Sequence, residues 1–329
     1  MTRKAFVIII VLLAAGFAAC RDSYLMGIYI LVCFYAMISV GWNLAAGFTG
    51  LLSLGQALFV GIGAYSVAYG NFTLGLSPLV SLPFALALSV VVAVGIGSLC
   101  FRYGIRGQYF AICTLTFSEI AFLLVSSAAA LGRSDGIMMR VMEPRALHLQ
   151  FRDKWPYGLM IAVSLVATLW LSAAMLKAKY GFYWRALRDN EDAARALGVP
   201  AFKYKLLVFA ISAVTATFGG AFYASYTNFV DPGSVLGVEL SIQLLVFSIV
   251  GGMGAVWGPV LGAAFLIPLS EFLRTSLGSN THGVDIVLYA VILIVVVLRF
   301  PKGIAGIIEG RPRKAGASDL GAEGRANAV

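Results

Sequence analysis

The chain has 329 residues, 60% hydrophobic and only 12% charged, with 24 Lys and Arg against 15 Asp and Glu for a net charge of +9. A mean hydropathy of +0.91 lies outside the range of a water-soluble domain, so lipid is the expected solvent. The basic residues form no stripe interleaved with stacking aromatics, which argues against a nucleic-acid partner; they sit between apolar runs, as the orientation of membrane proteins requires.

A bilayer core about 30 Å thick needs roughly 20 mostly apolar residues per crossing helix. The apolar runs and their Gly, Pro and charge breaks place ten spans near 5–20, 24–45, 52–70, 79–100, 107–131, 157–176, 206–226, 239–251, 258–274 and 284–299. The first, opened by Arg3 and Lys4, imitates a secretory leader, and Phe17-Ala18-Ala19-Cys20 resembles a lipoprotein cleavage site. Because another span begins at Tyr24, a first membrane helix is the expectation. The expected fold is therefore all-α: a polytopic integral membrane helix bundle of about ten transmembrane helices, some short or broken. Residues 1–314 form one transmembrane domain with a long inner loop at 177–205, and 315–329 form a flexible cytoplasmic tail. With the N-terminus inside, 17 of the 24 basic residues fall on the inner side, which sets both termini in the cytoplasm. Five of the others share one outer segment, Arg133 to Lys154, which with Asp135, Glu143 and Asp153 reads as a solvated mixed-charge loop.

Two glycine-rich breaks, Gly47 to Gly55 and Gly251 to Pro259, interrupt the apolar pattern and on this topology face the same side. Interrupted spans are tolerated where loosened backbone is buried in protein or lines a cavity. Gly254, Gly258 and Gly262 recur every four residues, a smooth packing face if that stretch is helical. Glu119 falls roughly 18 Å into its span, where a charge must be neutralised, bonded or wet; Thr116 and Ser118 offer hydroxyls nearby. Asn43, Gln56 and Gln243 are further polar residues in or beside apolar spans. Together with Glu119 they are the candidates for a translocation path.

The inner loop from Tyr180 to Pro200 reads as one short helix with a stop. Trp184, Leu187, Glu191, Ala194 and Leu197 follow helical spacing, with the apolar members on one side and Arg185, Arg188, Asp189, Asp192 and Arg195 largely elsewhere. Gly198 can take the left-handed conformation just past the helix, and Pro200 prevents resumption. Such a rod docks either on a protein partner or on lipid headgroups.

Negative searches narrow the chemistry. The chain contains no Gly-x-x-x-x-Gly-Lys-Ser/Thr phosphate loop and no Gly-x-Ser-x-Gly turn, and its two histidines, His148 and His282, lack metalloprotease spacing. Cys20, Cys33, Cys100 and Cys113 show no metal or disulfide spacing and are expected as free thiols. No metal site, bound cofactor or enzymatic activity is expected.

The loop segment Glu191-Asp192-Ala193-Ala194-Arg195-Ala196-Leu197-Gly198 resembles the Glu-Ala-Ala…Gly loop of bacterial ABC-importer permeases, with Asp192 departing from the first Ala of that pattern. Further blocks carry the resemblance along the chain: Asn43-Leu44…Gly47…Gly50…Ser53-Leu54-Gly55…Phe59…Gly61…Gly63-Ala64-Tyr65, Arg106-Gly107-Gln108-Tyr109-Phe110-Ala111, Arg188-Asp189-Asn190-Glu191, Gly251-Gly252 and Phe300-Pro301-Lys302-Gly303. They are similar to the LivM-type permease subunit of branched-chain amino acid ABC importers. That resemblance implies an inner-membrane subunit that pairs with a second homologous permease, two ATP-binding subunits carrying ATP and Mg, and an external substrate-binding protein. It makes the 177–205 loop a coupling helix, with Trp184, Arg185, Leu187, Arg188, Glu191, Ala194, Leu197 and Gly198 contacting the ATPase. Branched-chain amino acids are the implied substrate, with urea and short amides carried by related importers. The alternative is an ion-coupled secondary transporter in which Glu119 titrates.

Overall fold

A computed structural model describes residues 22–140, 149–277, 284–300 and 303–309, with isolated positions 11, 13, 14, 16 and 17. Most of the expected span near 5–20, the tail 315–329, Cys20, His148 and His282 lie outside the described residues.

The described chain is helical almost throughout. The first four helices are α1 (Ser23–Thr49), α2 (Gln56–Leu74), α3 (Pro78–Arg102) and α4 (Gln108–Ser127). After a loop come α5 (Trp155–Lys177), the short α6 (Lys179–Asp189) and α7 (Glu191–Ala196), and the long α8 (Ala201–Thr227). The chain continues through α9 (Pro232–Leu236), α10 (Val238–Gly251), α11 (Gly258–Leu277), α12 (Val284–Arg299) and α13 (Gly303–Glu309). Helix ends fall at residues that cannot continue a helix or suit its first turn. Gly50 and Gly75 close α1 and α2 with φ of 76° and 63°, and α3, α5 and α9 carry Pro in their first turn.

Seven stretches are long and apolar enough to cross a membrane: α1 to α5, α8, and the α9–α10 pair over Pro232–Gly251. The fold is thus the expected polytopic helical bundle, but the count among the described residues is seven rather than ten. α12 has only 16 residues, and α11 is diluted by Pro259, Pro268, Glu271 and Arg274.

α1 runs through the centre, packed by α5, α8, α10 and α11, while α2 is held between α3 and α8. The expected start of the second full helix moves from 52 to Gln56, because Leu51 to Gly55 are unwound. That buried backbone is hydrogen-bonded by neighbours: Trp42 Nε1 donates to Ser53 O at 2.7 Å, and Leu54 N donates to Thr114 Oγ1 at 3.1 Å. Irregular chain is tolerated inside a bundle only when its polar groups are satisfied in this way. At the far end, β1 (Ile137–Met138) pairs antiparallel with β2 (Phe229–Val230), fastening the loop after α4 to the turn after α8.

Candidate functional site

The segment read as one helix is two. Asn190, at φ −157° and ψ 107°, breaks the rod between α6 and α7, and its side chain accepts from the amides of Asp192 and Ala193 at 3.1 and 3.0 Å. Asparagine suits an N-cap because its short side chain replaces the partners that the first amides of a helix lack. Asn190→Ala is expected to cost about 1 kcal/mol of local helix stability and to speed amide hydrogen exchange at Asp192 and Ala193 roughly fivefold. Unchanged exchange there would show that packing, not the cap, holds α7.

The apolar side of α6 is used as anticipated. Trp184 and Leu187 are buried, and Trp184 Nε1 donates to Tyr204 O of α8 at 3.1 Å. Tyr183 lies 4.7 Å from Tyr204, ring centre to ring centre. Ala194 of α7 is buried too, but Leu197 is 86% exposed and does not share that face. The kink at Asn190 rotates the second half of the segment, so helical spacing counted across it misplaces Leu197. Gly198 has φ 85° as expected, with open space around it.

Glu191 is the centre of the site. Its side chain is only 11% exposed and pairs with three cations brought by different elements. Arg195, one turn on, donates at 2.7 Å; Arg106 Nε, from the turn between α3 and α4, is 3.4 Å away; and Lys205, from the first turn of α8, makes a short contact. Lys205 is 5% exposed on its side chain and lies against the Phe101 ring. Arg106 also donates to Asp192 at 2.9 Å. That hydrogen bond raises the Arg106 pKa above its ordinary value, slight burial works against the shift, and the charges of Glu191 and Asp192 add to it. α7 is therefore tied electrostatically to both α8 and the α3–α4 turn.

A second junction lies beside it. Arg188 Nη1 donates to Gly47 O at 2.8 Å, reaching the first glycine-rich break. Asn43 joins that break to the second: its Nδ2 donates to Ala255 O at 2.8 Å and its Oδ1 accepts from Gly254 N at 3.0 Å. Gly254 has φ 87° and sits in a turn before α11, so it does not extend the packing face of Gly258 and Gly262. Those two are packing positions: a Cβ at Gly262 would lie 1.9 Å from Phe247 O, and one at Gly258 2.2 Å from Gly252 O. Lys177, Arg185, Arg188 and Trp257 line a cavity of about 210 Å³ at this junction.

The four polar residues assigned to a path do not converge. Asn43 is the clasp just described, and Gln56 is a buried staple whose Nε2 donates to Ser212 O at 2.9 Å. Glu119 is half-buried on α4 and has no partner among the described residues; Thr116 bonds its own helix at Ile112, and buried Ser118 has no partner. Gln243 lines a cavity of about 250 Å³ with Glu239, Tyr35, Tyr223 and Ser234, at the end of the bundle remote from α7. Lys205 and Arg106 were missed as site residues. No local signal marked them, since Lys205 falls just before the expected span 206–226 among the charges of the inner loop, and Arg106 sits in a turn between spans. Cys33, Cys100 and Cys113 form no disulfide with one another, and Cys100 Sγ lies 3.3 Å from Cys113 Sγ.

Residues 24–296 match the family described as the branched-chain amino acid transport system permease component. The chain belongs to that family. It is 30% identical over 296 residues to the high-affinity branched-chain amino acid transport system permease protein LivM of Escherichia coli (strain K12), covering 83% of this chain and 69% of the relative. It is 25% identical over 240 residues to the L-arabinose transport system permease protein AraH of the same organism, covering 69% and 71%. Against the autoinducer 2 import system permease protein LsrC of Photorhabdus laumondii it is 27% identical over 185 residues, covering 52% and 54%. No solved structure matches the chain. The permease is thus a multi-pass membrane component of an ABC-type transporter, in a family whose relatives carry chemically unlike solutes.

Proposed function

We propose that the permease imports branched-chain or related hydrophobic amino acids across the bacterial cytoplasmic membrane, driven by ATP and Mg on two separate subunits, with a second homologous permease and an external binding protein. Both termini and the α6–α7 segment face the cytoplasm. The observation that carries the mechanical part is Glu191, gripped at once by α7, α8 and the α3–α4 turn. Trp184, Leu187 and Ala194 anchor the segment in the bundle, while Arg185, Gly198 and the free apolar side chain of Leu197 face the ATPase. Closure of the ATPase pair pushes α7; because α7 is tied to two membrane-embedded elements, they move with it. Arg188 passes the same displacement to the glycine-rich breaks, whose loosened backbone yields most easily. α4 is sparsely covered, and mid-helix Glu119 cannot face hydrocarbon; the second permease packs there. The cavity of Gln243 and Glu239 opens at the opposite end, where a carboxylate suits the ammonium group of an arriving amino acid.

The test is uptake of radiolabelled leucine into proteoliposomes containing the assembled transporter. Uptake is expected only with ATP, Mg and the binding protein together. Faster uptake of urea or a short amide than of leucine would move the substrate class and keep the importer. Leucine accumulation by this chain alone, in ATP-free liposomes under a proton gradient, would overturn the reading in favour of a carrier using Glu119.

A further inference from the structure

Between α2, α3 and α4, in the half of the bundle remote from α7, lies a groove of about 590 Å³ that none of the above uses. Its walls include Tyr65 and Ser66 of α2, Ser81 and Phe84 of α3, and Ala121 and Val125 of α4. None of its lining residues is charged. Two of its polar side chains are deeply buried, Tyr65 and Ser81 at 5% exposure each, and neither hydroxyl has a hydrogen-bond partner in the bundle. A buried hydroxyl left unpaired costs free energy comparable to a lost hydrogen bond, so two at one groove point to an occupant that accepts from them.

The surroundings say which occupant. From Leu79 to Leu99 every exposed residue of α3 is apolar, so this flank faces hydrocarbon, and Phe84 and Leu88 continue it into the groove. A zwitterionic solute needs groups for both of its charges, and the lining has none. A transmembrane helix is too wide: three turns about 10 Å across fill roughly 1,200 Å³. The small residues of α2 are already spent inside the chain, with a Cβ at Gly61 meeting Leu236 at 2.1 Å and one at Gly70 meeting Ser81 Oγ at 2.5 Å. The first described residues do not reach the groove, since Phe17 lies on the other flank against Tyr29 and Trp155. What remains is a single flexible apolar chain with a neutral acceptor near one end.

We propose that the groove holds one acyl chain of a phospholipid from the leaflet opposite α7, its ester carbonyl accepting from the hydroxyls of Tyr65 and Ser81. The lipid braces α2, α3 and α4 against one another where the protein alone leaves a gap. The proposal does not depend on which solute is carried.

The experiment uses the full chain in nanodiscs doped with a phosphatidylglycerol that carries a diazirine in one acyl chain, with labelled residues mapped after irradiation. Labelling is expected to concentrate on the groove walls. Ala121→Trp or Ser66→Phe, both partly exposed positions that fill the groove, should cut it at least fivefold, while Val91→Trp on the open ridge of α3 leaves it unchanged. Tyr65→Phe with Ser81→Ala keeps the volume and should lower labelling roughly two- to tenfold through lost hydrogen bonds. Label spread evenly along α3, or groove label undiminished in a folded Ala121→Trp protein, overturns the site. So does stronger labelling of the groove by photoactivatable leucine than by the lipid, which would make it a solute site.

Discussion

Glu191→Leu is expected to abolish ATP-driven uptake and to destabilise the permease by about 3–5 kcal/mol. The size follows from Lys205, which is almost wholly buried and would keep its charge without its carboxylate. Arg106 and Arg195 are well enough exposed to be solvated when Glu191 is lost, so they add little to the cost. Stability and coupling separate in the double variant Glu191→Leu with Lys205→Met. Replacing both members of a buried ion pair by apolar groups of similar size is often neutral, so its unfolding midpoint should return close to that of the parent protein. Uptake should stay more than tenfold down, because α7 then has no ionic tie to α8 and keeps only the solvent-exposed Arg106–Asp192 pair to the α3–α4 turn. Thermal unfolding of the purified variants beside leucine uptake reads both quantities. A double variant that transports like the parent would reduce the ionic cluster to a structural staple and send the coupling argument back to Trp184 and Arg188.

Most of the bundle was legible because apolar runs bounded by Gly and Pro are a local signal: α1, α3, α5, α10 and α12 fall within a few residues of the expected spans. What was hidden depends on residues distant in sequence. Leu51 to Gly55 look apolar enough to begin a helix, yet they unwind because Trp42 and Thr114 supply hydrogen bonds that no local pattern displays. The kink at Asn190 is local and could have been read, since Asn followed by Glu and Asp is an N-terminal signature; the continuous apolar spacing from Trp184 to Leu197 masked it. At the site, Glu191 stood out within a recognisable loop, whereas Lys205 and Arg106 approach it from either side of the sequence and share no periodicity with it. Asn43 and Gln56 were legible as buried polar residues but not as clasps, because a side chain that bonds backbone across the bundle and one that lines a path have the same sequence signature.

The two glycine-rich breaks acquire a shared purpose once Asn43 is placed. Both were expected to face the same side, and their contact explains why they sit at one end: Gly47 O takes the Arg188 guanidinium while Asn43, one turn earlier, holds the turn at Gly254 and Ala255. Displacement of α6 therefore reaches the ends of α1 and α10 and the start of α11 by contacts shorter than one side chain. A joint of loosened backbone fixed at few points is easier to move than a continuous helix, in which each residue is held by its neighbours one turn away.

Gly220→Val and Gly63→Val are each expected to leave no stably folded permease, whereas Gly95→Ala should be tolerated. The two helices α2 and α8 cross with their backbones in contact: a Cβ at Gly220 would lie 1.9 Å from Val60 O, and one at Gly63 2.0 Å from Thr217 O. Both obstacles are main-chain carbonyls inside helices, so neither can swing aside as a side chain tip would. The same crossing is fastened by Thr217 Oγ1 donating to Phe59 O at 3.0 Å and by Gln56 on Ser212, bonds that depend on the close approach. Spreading the helices to admit a valine forfeits these buried polar contacts together with the packing, and in lipid no hydrophobic drive between helices compensates. Gly95, on α3, has open space where its Cβ would stand, so alanine there should gain about 0.5–1 kcal/mol from helix preference alone. Yield of monodisperse protein and unfolding midpoints across the three variants check the contrast. A well-folded Gly220→Val protein would mean that α2 and α8 are not in backbone contact, and with that the central packing described above would be wrong.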